Sequence, residues 1–249
     1  MVILPSRRKN FTSQAPSGDS DPYWDNVVFL SHFDASGANK VFYDVSKNPM
    51  TITGAANVNL LTGTSPTNPK FGAGSINFST TSTAFASGAN DGRFSLTNQE
   101  WTIEGWYWLY GATARNLFTT SFARIVGTTT SGVLTFNTSA NNYASAVNVL
   151  VNYNVGSGAW KHIAFQRKNT ASTPITGVYD VFVDGVRVGG ITNTLTHSGA
   201  ANLVLGGLAG TANSHQHVLD ELRITTGVAR YPTGVGASFT PPTQPYPNQ

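Results

Sequence analysis

The sequence contains no cysteine and few charged residues. Among its 249 residues are 15 Lys or Arg and 12 Asp or Glu, so charged side chains make up 11% of the chain. Soluble domains usually have about 25%. The absence of cysteine excludes disulfides, thiolate nucleophiles and zinc sites with cysteine ligands. The scarcity of charge does not indicate disorder, because 40% of the residues are apolar and 11% are aromatic.

Good helix formers are also scarce. Glutamate occurs only as Glu100, Glu104 and Glu221, whereas Thr, Ser, Asn, Gly and Val dominate the sequence. This composition predicts an all-β protein. A length of 249 residues fits one large sandwich.

Nucleic acid and membrane partners are not expected. The net charge is +3 and the pI about 9.2, but the basic residues are too few to form the stripe that binds a phosphate backbone. No apolar run approaches the ~20 residues of a membrane span. At the start of the chain the apolar segment Met1–Leu4 precedes the basic residues, the reverse of a secretory signal. We therefore expect a soluble protein.

Short runs with a period of two alternate with turn residues along the middle of the chain, which is typical of a sandwich or barrel. The turn Asp184-Gly185 lies between two alternating runs and predicts a type I′ hairpin, because both central residues of that turn need φ > 0. About a dozen strands are predicted: Val27–Phe33, Ala56–Leu60, Ser75–Phe78, Trp101–Tyr110, Asn116–Phe122, Val133–Asn137, Val147–Tyr153, Trp160–Arg167, Val178–Val183, Val186–Val188, Leu203–Leu205 and Val218–Thr225.

The two ends of the chain lack this periodicity. Residues 1–25 are rich in Ser, Pro and basic side chains, and residues 227–249 form a turn and a Pro-rich tail. We predict that residues 1–25 are an extended arm held by a neighbouring subunit or partner. The alternative is that the arm folds back along its own sandwich. The candidate anchoring residues are Pro5, Arg7, Arg8, Lys9 and Phe11.

Several segments together resemble a laminin G-like, concanavalin A-type jelly roll. In chain order they are Val27–Asp34, Lys70–Phe78, Trp101–Trp106, Trp160–Ala164, Phe182–Gly185 and Leu219–Ile224. The resemblance implies an antiparallel β-sandwich over residues 26–226.

The end of the sequence resembles a particular form of this domain. Asp220–Tyr231, followed by Phe239–Pro242, is similar to the form found in bacteriophage virion proteins, on tails, fibres and capsid surfaces. This resemblance implies localisation in a virion. It also implies other virion proteins as partners, in a homo-oligomeric or repeated assembly.

Jelly rolls of this kind include glucanases, so glycoside hydrolysis has to be considered. A glycosidase needs two carboxyl groups about 5–5.5 Å apart for retention or about 6.5–9.5 Å apart for inversion. Glu100 and Glu104 are expected roughly 13 Å apart on one strand, and Asp220 and Glu221 are expected on opposite faces of another. The Glu-x-Asp-x-x-Glu strand of laminarinase-type enzymes, which the fold resembles, is missing. We expect no enzyme activity. The alternative, a catalytic pair formed by carboxylates on two neighbouring strands, is left open by the sequence.

Other catalytic and metal sites have little support in the sequence. There is no Gly-x-Ser-x-Gly elbow, and the five histidines show no obvious acid–base partner. His215 and His217 would share one face of an extended segment, as a metal pair requires, but no third ligand can be named. The alternative is that they belong to a polar loop before the last strand.

Calcium is a separate question, because many jelly rolls of this resemblance carry it. Asp34 and Asp220 are the candidate ligands, since the first and last strands of such sandwiches are commonly neighbours. Calcium needs about 6–8 oxygen ligands, and the sequence offers few carboxylates nearby. The alternative is that Asp34 caps the turn that follows it and Asp220 binds backbone groups. No other cofactor is expected.

Aromatic residues crowd the predicted strand Trp101–Tyr110. Alternate residues from Trp101 to Leu109 share one face, and alternate residues from Thr102 to Tyr110 share the other. If the second face is exposed, its rings Trp106, Trp108 and Tyr110 are candidate ligand-binding residues that stack on sugars or fill a protein interface. The alternative is a central strand covered on both sides. Trp160 and Phe165 are expected in the core.

These observations leave three functions. The first is a non-enzymatic structural or surface protein of a phage-type virion, anchored through its arm. The second, which can coexist with the first, is a carbohydrate-binding adhesin that recognises a host glycan. The third is a glycoside hydrolase.

Overall fold

The computed structural model of the chain describes residues 20–34, 41–54, 58–61, 68–78, 86–87, 92–94, 96, 98–110, 115–120, 123–127, 132–139, 147–172, 175–194, 203–207 and 217–249. Within these residues the chain forms sixteen β-strands, one 3-10 helix and no α-helix. The all-β prediction is confirmed. The helix is Trp24–Asn26, and the strands are β1 Val27–Ser31, β2 Val41–Tyr43, β3 Thr51–Gly54, β4 Val58–Leu61, β5 Ser75–Phe78, β6 Ala86–Ser87, β7 Trp101–Leu109, β8 Arg115–Thr119, β9 Ala123–Gly127, β10 Val133–Ser139, β11 Val147–Asn154, β12 Trp160–Ser172, β13 Ile175–Val183, β14 Val186–Asn193, β15 Val204–Leu205 and β16 His217–Thr226.

The strands form two eight-stranded antiparallel sheets. Sheet I has the order β14-β13-β12-β7-β16-β5-β4, and β1 also pairs with β16. Sheet II has the order β11-β10-β9-β8-β15-β6-β3-β2. Two sheets that pack face to face make a sandwich, so the predicted jelly-roll class is confirmed.

The first and last strands are neighbours, as predicted. β1 pairs with the second half of β16, from Ser31 opposite Leu222 to Val27 opposite Thr225. β5 pairs with the first half of the same strand. The central position of β16 in sheet I explains why nine of its ten residues are buried.

The main core lies between the two sheets. From β7 it takes the alternating residues Trp101, Ile103, Tyr107 and Leu109, and the Trp101 ring meets the Phe165 ring edge-to-face at 5.0 Å. This finding decides which face of β7 is core. The opposite face of sheet I is called the outer face below.

The tight hairpin between β13 and β14 is confirmed. Val183 pairs with Val186, and the two turn residues Asp184 and Gly185 have φ of 49° and 78°. Positive φ at both positions is the type I′ geometry. A side chain at Gly185 would also collide with the Phe239 carbonyl, 2.0 Å from the Cβ position.

Some predicted strand bounds are wrong. The first strand ends at Ser31, two residues early, and the chain then turns through Phe33 with φ of 56°. The predicted strand Asn116–Phe122 ends at Thr119, because Thr120 closes a local turn by accepting the Ala123 amide at 3.1 Å. Four strands were not predicted: β2, β3, β6 and β9.

The C-terminal segment 227–249 packs along the outer face of sheet I. Tyr231 and Phe239 stack with ring centroids 3.6 Å apart, and both rings meet Phe182 of β13 edge-to-face. Further along, Tyr246 is buried against Val27 and Leu30 of β1. We call residues 227–249 the strap, because they hold this face over most of its length.

Some predictions lie outside the described residues. Positions 1–19 are not described, so the candidate anchoring residues Pro5, Arg7, Arg8, Lys9 and Phe11 are not placed, and over these positions the arm stays a prediction. Residues 20–25, the end of the predicted arm, instead follow the alternative and lie against the chain's own sheet, where Asp21 is buried and pairs with Arg223 and Arg230. Among the residues that are described, no helix has the length and apolar character needed to cross a membrane.

Candidate functional site

The outer face of β7 has a covered part and a partly open part. Glu104 lies beneath the strap, and Trp106 is 7% exposed. Trp108 and Tyr110, which follow on the same face, are partly exposed. The strand is therefore covered on both sides along most of its length, and opens only toward its C-terminal end.

Beneath the strap lies a buried ionic cluster. Glu104 accepts hydrogen bonds from Arg223 at 2.8 and 3.0 Å, and Tyr231 donates to its second oxygen. Asp21 accepts from Arg223 at 2.9 Å and from Arg230 at 2.7 Å. The two carboxylates therefore balance two guanidinium groups in a site that is almost closed to solvent.

The charge of Glu104 is stabilised by its neighbours. Burial by itself would raise the pKa of Glu104, but the Arg223 guanidinium, a hydrogen bond from His162 and the Arg230 charge hold that pKa well below its usual range. Glu104 is thus an ionised carboxylate enclosed by cations. Its surroundings suit a structural role in joining the strap to the sheet.

Two histidines have acid–base partners that the sequence did not reveal. His162 Nε2 lies 2.9 Å from the Tyr246 hydroxyl and 3.5 Å from Glu104. His32 Nδ1 lies 2.7 Å from Glu221. Burial by itself would lower the pKa of His32, but Glu221 and Asn248 raise that pKa to about 9. The contacts of His162 with Tyr246 and of His32 with Asn248 connect sheet I to the strap.

The predicted histidine pair on the last strand is only partly placed. His217 is buried and stacks on Phe78 at 4.6 Å. His215 lies outside the described residues. Within the described ranges no group of three or more His, Asp or Glu could hold a metal ion.

A bulge in β16 changes where its two carboxylates lie. The register shifts between Asp220 and Arg223, and Glu221 has φ of 54°. Asp220 binds the segment near Trp106, and Glu221 accepts the Tyr246 amide at 2.9 Å, so both lie on the outer side. The prediction that they point to opposite faces is wrong, because the bulge interrupts the alternation.

Asp34 and Asp220 hold one loop, residues 68–74. Asp220 Oδ2 accepts the amides of Lys70 and Phe71 at 2.8 and 3.1 Å. Asp34 Oδ1 accepts the amides of Ala73 and Gly74 at 2.6 and 3.1 Å. The two aspartates thus bind the same loop, and the alternative for Asp220, a bond to backbone groups, is what the structure contains. The turn that Asp34 was expected to cap lies outside the described residues.

These residues do not fit a calcium ion. Asp220 is fully buried, and burial raises its pKa to about 8, with a smaller contribution from Glu221. A carboxyl group that carries a proton near neutral pH is a poor ligand for a hard cation. One oxygen of each aspartate, Asp220 Oδ2 and Asp34 Oδ1, is already used by amides of the loop.

At the open end of the outer face, four rings and one cation form what we call the aromatic patch: Lys70, Phe71, Trp106, Trp108 and Trp160. Trp108 and Trp160 pair across β7 and β12 with ring centroids 6.1 Å apart. Phe71 meets Trp106 edge-to-face at 5.9 Å, and Lys70 Nζ lies 3.9 Å from the Trp106 ring. Trp160, expected in the core, is instead partly exposed here, and its Nε1 donates to the Asn68 carbonyl at 3.1 Å.

The patch continues as a row across sheet I. Trp160 pairs with Trp108, Trp108 with Val218, and Val218 with Asn77. Three strand spacings make this row ~14 Å long. Val218 is fully buried, whereas Asn77 is partly exposed, and the buried Oδ1 of Asn77 has no hydrogen-bond partner among the described residues. The row thus combines aromatic rings at one end with an amide at the other.

Family comparison agrees with this architecture. The family model described as the concanavalin A-like lectin/glucanases superfamily, in its laminin G form, matches residues 72–230, which is more than half of the chain. The chain belongs to this superfamily. A search among curated proteins finds no significant match.

Solved structures with the same fold share little sequence with this superfamily member. The binding domain of Paraclostridial Mosquitocidal Protein 1 matches with a TM-score of 0.58 and 13% identity, over 83% of this chain and 50% of that one. The botulinum neurotoxin DC binding domain in complex with rat synaptotagmin II matches with 0.58 and 13%, over 82% and 48%. The same toxin domain in complex with SialylT matches with 0.56 and 11%, over 82% and 48%.

The chain spans about half the length of those toxin domains. At such identities the likeness concerns the fold alone. The ligands of those toxins therefore belong to the toxins, and any ligand of this chain has to be argued from its own residues.

The structure brings the three predicted ligand-binding residues to one face. Trp106 is buried beneath Lys70 and Phe71, Trp108 is partly exposed, and Tyr110 follows it. Ligand binding by these residues stays a prediction. Sequence reasoning missed Lys70 and Phe71 as members of the patch, because their position depends on the loop that Asp220 holds.

Proposed function

We propose that this protein is a non-enzymatic glycan-binding module that binds sugar rings on the aromatic patch. The observation that carries the proposal is the partly exposed Trp108–Trp160 pair at the only end of β7's outer face that the strap leaves open. Indole rings offer large apolar faces at low conformational cost, and their polar edges remain available for hydrogen bonds.

The surroundings of the pair support a sugar rather than a purely apolar ligand. Asn77 lies at the far end of the row, and Asn68 lies at the near end, where its carbonyl holds the Trp160 indole. A ligand site usually combines apolar rings with a few polar groups that fix orientation. Asn68 is exposed, so a sugar ring on Trp160 would lie beside a polar residue.

The carboxylates near the patch support a binding role over hydrolysis. Glu104 is enclosed by Arg223, Tyr231 and His162 beneath the strap, and Asp220 is buried with one oxygen bound to two amides. A glycosidase needs two carboxyl groups that reach the bond being cleaved. Glu104 is instead committed to internal partners, and Asp220 is closed to solvent, so neither side chain is exposed to a bound glycan.

Replacing Trp108 or Trp160 by alanine should weaken glycan binding at least ~tenfold, because each change removes one wall of the patch. The glycan is first found on an array of bacterial and animal glycans, and affinity is then measured by isothermal titration with the best ligand. Tyr153→Ala is the matched control, since Tyr153 is an exposed aromatic residue of sheet II. If the three variants and the unchanged protein bind with equal affinity, the ligand binds elsewhere. If no glycan on the array binds, the proposal fails.

For its biological setting we propose the surface of a phage-type virion. The support is the resemblance of the closing segment, which here forms the last strand and the strap. The two ends of the described chain also meet, because the Asp21 amide donates to the Gln249 carbonyl at 2.5 Å. An arm formed by residues 1–19 would begin beside the C-terminal residues, and β7 runs from this region toward the aromatic patch.

Deletion of residues 2–19 should abolish incorporation into particles while leaving the sandwich folded. This deletion keeps Asp21, which pairs with Arg223 and Arg230, so it separates anchoring from stability. Incorporation is measured by co-sedimentation with assembled particles, and folding by thermal unfolding. Normal incorporation of the shortened protein would reject the anchoring role of the arm.

A further inference from the structure

Lys70 occupies an unusual position within the aromatic patch. Its ammonium group lies 3.9 Å from the Trp106 ring centre and 5.4 Å from that of Phe71. Its backbone amide is held by Asp220 at 2.8 Å, so the side chain starts from a fixed point. Aromatic faces attract a cation through their quadrupole, which keeps the charge beside the rings.

Three arginines of the outer face have carboxylate partners. Arg223 and Arg230 pair with Glu104 and Asp21, and Arg187 pairs with Asp180. Lys70 forms no ion pair with any residue that the structure describes. It is half-buried, so its charge faces a region where water is partly displaced by rings.

The nearby acids are engaged elsewhere. Asp220 lies behind the loop, with Oδ2 bound to the Lys70 and Phe71 amides, and its raised pKa of about 8 removes most of its charge at neutral pH. Asp34 lies at the other end of the loop, where Ala73 and Gly74 donate to it. The patch therefore presents one positive charge among partly exposed rings.

The indole of Trp106 lies beneath this charge. Its Nε1 is closed to solvent and has no hydrogen-bond acceptor among the described residues. Lys70, which is half-buried, is therefore the group of the pair that an approaching anion would meet. A charged donor forms stronger hydrogen bonds than a neutral one does.

We propose that the patch selects acidic glycans, in which the carboxylate of a uronic or sialic acid pairs with Lys70 while a neighbouring sugar ring stacks on Trp108 and Trp160. The proposal rests on the proposed glycan-binding function and adds the chemical class of the ligand. The pairing puts opposite charges together in a site with reduced access to water, where their attraction is stronger than on an open surface.

The test compares acidic glycans with neutral counterparts of the same backbone. The probes are oligogalacturonate, hyaluronan oligosaccharide and oligosialic acid, each beside its methyl-esterified form, and binding is measured by isothermal titration. The unchanged protein should bind at least one acidic glycan ~tenfold more tightly than its ester. Lys70→Gln should weaken binding of the acid more than binding of its ester and so remove this preference, and Lys70→Arg should retain the preference.

Lys168→Gln is the matched control, since it removes the same charge from an exposed position of β12 outside the patch. Equal binding of acid and ester by the unchanged protein, or a preference that Lys70→Gln leaves intact, would overturn the acidic selectivity while leaving glycan binding in place. If the array and all three probe pairs give no binding, the proposed function fails and this inference fails with it. An equal loss of preference in Lys168→Gln would also overturn it, because the effect would then come from net charge.

Discussion

Replacing Glu104 by glutamine should lower the free energy of unfolding by about 3–5 kcal/mol. The change leaves Arg223 and Arg230 buried beside Asp21 alone, so two guanidinium groups share one carboxylate. A buried charge without its partner has lost its hydration and gains nothing in exchange. The strap would be affected first, because Tyr231 donates to the same carboxylate.

Urea unfolding followed by tryptophan fluorescence measures this loss. Glu100→Gln is the matched control: Glu100 is half-buried and, from the described residues, accepts the Asn169 and Ala229 amides at 3.2 Å each, so a cost of about 1 kcal/mol is expected. A double variant with Glu104→Gln and Arg223→Met restores one cation to one anion and should regain at least half of the loss. A cost below that of Glu100→Gln would mean that the cluster does not hold the strap.

Replacing Asp220 by asparagine should stabilise the protein at alkaline pH, although the carboxyl group that it replaces binds two amides. Burial raises the pKa of Asp220 from 3.8 to about 8. The folded state therefore binds the proton more tightly than the unfolded state, and this stabilisation is complete below pH ~4 and is lost as the pH rises toward 8. At pH 8 and above the lost stabilisation lowers the free energy of unfolding by up to ~5 kcal/mol.

Asparagine keeps an oxygen for the Lys70 and Phe71 amides and cannot ionise. The free energy of unfolding of the variant should therefore equal that of the unchanged protein near pH 4 and exceed it by at least ~2 kcal/mol at pH 9. The measurement is urea unfolding at several pH values. His32, whose pKa is also raised, is present in both proteins, so its contribution cancels in the difference. If the difference in free energy of unfolding between the two proteins does not depend on pH, Asp220 is ionised throughout the range and the prediction is wrong. The prediction is also wrong if the variant is less stable than the unchanged protein at pH 9.

The site was only partly predictable. Strict alternation along Trp101–Tyr110 places Trp106, Trp108 and Tyr110 on one face from the sequence alone. Alternation does not say which face is core, nor how much of the other face a later segment covers. That depends on the strap, which comes more than a hundred residues afterwards and buries Glu104 while leaving Trp108 partly open.

The bulge at Glu221 is another feature that local pattern does not reveal. The strand reads as a regular alternation, and a positive φ at a glutamate is unfavourable by itself. It is held here by contacts from β1 and the strap, through His32 and the Tyr246 amide. Long-range contacts of this kind decide which side a carboxylate takes.

The scarcity of charge and of helix formers determined the all-β class of this protein from the sequence alone. Alternating apolar residues require two-sided strands, and the Asp184-Gly185 turn requires one hairpin geometry, because both depend on neighbours in the chain. Only the tertiary structure decided that four of the few charges form one buried cluster, and that Lys70 lies among rings at the open end of the sheet. Those arrangements join residues far apart in sequence, so no local pattern encodes them.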